Sequence, residues 1–133
     1  MTNQSKDKPI VHIVNWFEIP VADLAKASAF YGAMLDCKLN LTDFGGVPHA
    51  IFATTDPRAV GGALICDPRR RAMHGGTTLY LHATDGVARC LSRAVEAGAK
   101  VIQPVTPIDP HGTIALIEDL DGNVVGLHEP PKS

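Results

Sequence analysis

The feature that most constrains this chain is a hydrophobic pattern written twice: a strand, a helix, then three strands, and the same order again. Ile10 to Ile19 alternates, with Val11, Ile13, Phe17 and Ile19 on one face and His12, Val14, Trp16 and Glu18 on the other. Pro20 ends that strand, and Asp23 predicts an N-cap for a helix to about Asp36 with the stripe Leu24, Ala27, Tyr31, Met34 and Leu35. Extended stretches follow near Lys38 to Phe44, His49 to Thr54 and Val60 to Cys66, divided by Gly45-Gly46 and Asp56-Pro57.

After a polar turn, Asp67 to Gly76, alternation resumes at Thr77 to Ala83. A helix is expected over Gly86 to Ala97, then strands at Lys100 to Pro104, Thr113 to Glu118 and Asn123 to Glu129, the last two joined by an Asp121-Gly122 turn. An offset of 63 places Leu24 on Val87, Ala27 on Cys90 and Tyr31 on Ala94, so the helices share a stripe although the halves share almost no residues. A half of about 60 residues leaves one sheet face open and needs a partner to bury it. The expected fold is α+β: two tandem βαβββ modules with mixed sheets enclosing a central cavity. It forms a single domain over residues 1–133, with module one at about 10–66, the linker at about 67–76 and module two at about 77–129.

Composition narrows the partners. Twelve Lys plus Arg against fourteen Asp plus Glu give a net charge of −2 with no basic stripe, which speaks against nucleic acid. The three cysteines show no CxxC spacing, so neither a disulfide framework nor a cysteine zinc site is expected. No apolar run is long enough to span a membrane and the first residues lack an export signal, so the expected location is the cytoplasm.

Three segments carry a resemblance: WFEIPVADLAKASAFYGAML at Trp16 to Leu35, AVEAGAKVIQP at Ala94 to Pro104, and EDLDGNVVGLHEP at Glu118 to Pro130. With the duplication, they make the chain resemble the vicinal oxygen chelate superfamily, which includes glyoxalase I, extradiol dioxygenases, fosfomycin-resistance enzymes and bleomycin-binding proteins. The resemblance implies a homodimer and a divalent metal held by His, Gln or Glu from the first and last strand of each module. Carried onto this chain, those four positions are Trp16, Ala63, Thr78 (or Leu79 by the helix alignment) and Gly126. None is a ligand of the family's type, so no cofactor is expected.

The inner face offers other chemistry. Alternation aims His12, Trp16, Glu18, Tyr80, His82 and His128 inward. Trp16, Glu18, Tyr80, His82 and His128 are the candidate ligand-binding residues, since aromatic walls supply apolar area and polar tips fix orientation. Trp16 equally suits core filling of the vacated metal space, and Glu18 equally suits a strand end pairing with a nearby Arg. The remaining histidines, His49, His74 and His111, fit ordinary hydrogen-bonded or exposed roles, and Arg69, Arg70 and Arg71 fit a solvated face. The reading that follows is a metal-free binder of a small, partly aromatic molecule. One alternative is a metal-dependent lyase, isomerase or dioxygenase with its metal at an unrecognised site using His12, His82, His128 or Glu18. Another is a metal-free enzyme with Glu18 or His82 as its acid–base group. Whether modules pair within one chain or between two stays open.

Overall fold

The computed structural model describes residues 14–56 and 58–132. Strand β1 covers Trp16–Pro20, helix α1 Leu24–Leu35, β2 Leu39–Phe44, β3 Val47–Phe52 and β4 Gly61–Ile65. The second module repeats the order with β5 at Leu79–His82, α2 at Val87–Glu96, β6 at Lys100–Pro107, β7 at Thr113–Glu118 and β8 at Val124–Glu129. Each module forms one four-stranded mixed sheet, ordered β1-β4-β3-β2 and β5-β8-β7-β6, with the first and last strands parallel. This is the expected α+β duplication. The two sheets share no strand pairing and do not close into a barrel among the described residues. His12 and the first part of the predicted first strand lie outside those residues.

Local chemistry explains the helix ends. Asp23 sits in extended backbone and its carboxylate accepts the Lys26 N–H at 3.0 Å, while Asp36 turns the chain left-handed at φ 52° after α1. The N-cap of α2 is Gly86, which has no side chain to serve. Glu129 from β8 accepts the Val87 N–H instead, at 2.7 Å, placing negative charge where the helix dipole favours it.

Each sheet buries one face against its helix. Ile19, Ala50, Phe52 and Leu64, with the partly buried Phe17 packed against them, form that core in module one, and Leu81, Ala115, Ile117, Val125 and Leu127 in module two. Period-two alternation therefore sends Trp16 and Glu18, and likewise Tyr80 and His82, to the opposite, open face.

The modules are joined from the helix side. Tyr31 of α1, 1% exposed, donates its hydroxyl to the buried Asp119 carboxylate at 2.6 Å. Asp119 also accepts from the Asp121 and Asn123 backbone and from the Asn123 amide, which in turn donates to the Pro20 carbonyl at 2.9 Å. Arg93 of α2 adds a second tie: its Nε donates to the Ala33 carbonyl at 2.9 Å, and its fork holds Asp85 at 2.8 and 2.9 Å. The Asp-Gly turn predicted at 121–122 is thus also part of a latch between modules.

Candidate functional site

The open face of module one centres on Trp16 and Glu18. Trp16 is 46% exposed for so large a side chain, and its ring lies over Gly61, where a Cβ would meet it at 3.1 Å. Its indole N–H donates to Glu18 Oε2 at 3.2 Å. Glu18 Oε1 accepts from Arg70 Nη1 at 2.6 Å, and His49 Nε2 stands 3.5 Å from Oε2. His49 is buried, bonded through Nδ1 to the Val47 carbonyl at 2.8 Å, and stacked edge-on by Phe44 at 5.0 Å.

This setting fixes the character of Glu18. The Arg70 guanidinium, chiefly, with help from Trp16 and His49, outweighs partial burial and lowers its pKa. A general base working near neutrality needs a shift in the other direction. Glu18 is placed to orient Trp16, the Arg-paired arrangement that the sequence leaves open. Arg70 is exposed, as expected of a charge run, but it is also paired. It bridges Glu18 and Asp67, whose buried carboxylate also binds Arg69 at 3.0 Å and is held well below the usual range.

Module two supplies a second group. His82 and His128 are register partners on the parallel strands β5 and β8, and Tyr80 pairs with Gly126, over which its ring lies. His128 Nε2 is 2.7 Å from the His111 carbonyl. Tyr80 is 44% exposed. The five described candidates thus share open sheet faces as two groups, Trp16 with Glu18 and Tyr80 with His82 and His128. Between the sheets lies a cleft of about 310 Å³ that reaches Trp16 and Glu18 on one side and Thr77, Leu79 and Val124 on the other.

The four positions where the resemblance implies metal ligands do not fit a metal. Ala63 and Gly126 are buried and carry no donor, Trp16 has only an indole N–H, and Thr78 offers one hydroxyl. Among the described residues no three His, Cys, Asp or Glu side chains converge in a way that could hold an ion. Residues that the sequence reading missed are Arg70, His49 and Phe44 around Glu18. The signal for Arg70 was Asp67 close before it, a local carboxylate able to fix the linker's arginines.

Cys90 is buried beside Asp85, and desolvation pushes its thiol up to about 11, which makes it inert. No described helix is long and apolar enough to cross a membrane.

Comparisons agree with this geometry. The antibiotic binding protein TnmS3 from Streptomyces sp. CB03234 is 28% identical, with 92% of this chain and 99% of that one covered and a TM-score of 0.66. A glyoxalase/bleomycin resistance protein from the same organism is also 28% identical, covering 85% and 96% at TM-score 0.60. A glyoxalase I variant from Zea mays shares the fold at TM-score 0.67 and 21% identity, with 86% of this chain and 45% of that one covered. No curated protein matches the chain significantly. The family model for the Glyoxalase/Bleomycin resistance protein/Dioxygenase superfamily matches residues 10–127, and the chain belongs to that family.

Proposed function

We propose that this protein binds a small, partly aromatic molecule on the open face beside Trp16, without a metal at the family's ligand positions. The observation that carries the reading is the pair of rings, Trp16 and Tyr80, standing exposed over Gly61 and Gly126 on sheet faces whose ligand positions hold no suitable donors. Exposed aromatic walls beside oriented polar groups are how small-molecule sites combine affinity with orientation. The antibiotic-binding protein at 28% identity supports the class of ligand.

A second copy of the chain completes the site in this reading. Among the described residues of one chain the sheets do not close, and Trp16, Phe44 and Tyr80 are exposed. Apolar surface of this kind marks an interaction face. The reading places the protein in the cytoplasm.

The test is calorimetric titration of a panel of small aromatic molecules, with and without chelator, alongside sedimentation to establish the assembly state. Saturable binding that survives chelator and is lost in Trp16→Ala, with its melting temperature retained, supports the proposal. Binding or turnover that chelator abolishes would favour the metal-dependent alternative. No saturable binding across the panel would sink the binder reading.

A further inference from the structure

A second cavity, of about 410 Å³, opens where the linker folds back on the C-terminal ends of β1 and β4. Val21, Pro68 and Ala72 are among its apolar walls, and Asp67, Asp121, Arg70 and Arg71 are its charged groups. It shares no lining residue with the Trp16 cleft.

Hydrogen-bonding capacity decides what such a cavity can take. Asp67 is occupied: its carboxylate accepts from the Arg69 backbone N–H, from the Arg69 side chain and from Arg70 Nε. Asp121 accepts the Ala22 N–H at 2.9 Å through Oδ1, leaving one oxygen. The cations are less engaged. Arg70 gives Nε to Asp67 and Nη1 to Glu18, with Nη2 left over, and Arg71 makes no side-chain hydrogen bond or ion pair among the described residues. The balance left over is mostly donor and cationic, set against an apolar wall.

We infer that this linker cavity is a binding site for a small carboxylate with an apolar body, its acid group received by the Arg71 guanidinium at the rim. Arginine suits the role because its planar fork matches a carboxylate with two parallel bonds, and its charge persists at any working pH. The apolar body replaces water against Val21, Pro68 and Ala72. The inference does not depend on what binds beside Trp16.

Three probes of one shape and different charge test it: 2-naphthoate, 2-naphthamide and 2-naphthylmethylamine. Each is titrated into the full chain while the backbone amide signals of Ala22 and Ala72 are followed by nuclear magnetic resonance. The naphthoate should saturate and bind roughly tenfold or more tightly than the amide, the range of a charge-assisted contact. Arg71→Gln, at an exposed position, should bring the acid down to the affinity of the amide and leave the amide unchanged. Trp16→Ala should leave these titrations intact, which separates failure here from failure of the aromatic site. Equal affinity for acid and amide, tighter binding of the amine, no saturable shift at Ala22 and Ala72, or indifference to Arg71→Gln would each overturn the inference.

Discussion

Replacing Tyr31 by Phe tests how the two modules are held together. The ring sits 1% exposed between modules, packed edge-on against Phe30 and Phe52, so Phe keeps the shape and removes only the hydroxyl. The bond lost is the 2.6 Å contact to a buried carboxylate, a class worth about 1.5–3 kcal/mol. Asp119 keeps its donors from Asp121 and Asn123, so it is not orphaned, and the lower part of that range applies: about 1.5–2 kcal/mol. For a chain of this size the melting temperature should fall by roughly 5–10 °C. Asp119→Ala removes the shared acceptor of the Tyr31 hydroxyl, the Asp121 and Asn123 backbone N–H groups and one N–H of the Asn123 amide, whose other N–H keeps the Pro20 carbonyl, so its loss should be larger, about 3 kcal/mol or more. Urea denaturation gives the free energies, and a double-mutant cycle of Tyr31→Phe with Asp119→Asn should return a coupling of about 1–2 kcal/mol. A Tyr31→Phe protein within 0.5 kcal/mol of wild type, or additive double-mutant values, would refute the Tyr31 hydroxyl as part of the latch and leave the Arg93 and Asn123 ties, with apolar packing, to join the modules. The hydroxyl is a dependable donor: burial, with the Asp119 charge beside it, raises its pKa well above 10.0.

Two further outcomes follow from named contacts. The Arg93 fork holds the Asp85 carboxyl at about 2, below its ordinary 3.8. A carboxyl with a depressed folded pKa stabilises above its unfolded value and loses that contribution as pH falls through its folded value. Wild type should therefore lose stability between about pH 4 and pH 2, and Arg93→Gln should show a flatter slope over that window in acid titrations monitored by circular dichroism. A Cβ at Gly126 would run into the Tyr80 ring, so Gly126→Ala should cost about 1–3 kcal/mol by overpacking. Tyr80→Ala in the same chain should recover most of that loss in a calorimetric scan, and a neutral Gly126→Ala would contradict the packing described.

Much of the fold and part of the candidate site is legible in the sequence itself. Alternation has a period of two and acts locally, so it assigned Trp16, Glu18, Tyr80 and His82 to the face away from the helices. The Asp23 cap and the α1 stripe are also local, and α1 begins where they indicate. What was not legible lies in contacts between distant residues. Glu18 meets Arg70 across 52 positions and Tyr31 meets Asp119 across 88, and neither spacing leaves a periodic trace. His82 and His128 become neighbours only through the β5–β8 register, which no single segment encodes. Closure of the cavity was also beyond local pattern, because whether two half-open sheets meet depends on how the modules dock.

The ties from Tyr31 and Arg93 have a consequence for how this protein changes over time. Both run through the helix layer, and the orientation of one sheet against the other is set from there. The exposed face around Trp16 and Tyr80 therefore carries little of the burden of holding the halves together. Substitutions there can reshape that face while the scaffold keeps its stability margin, a separation that lets one architecture carry different surfaces.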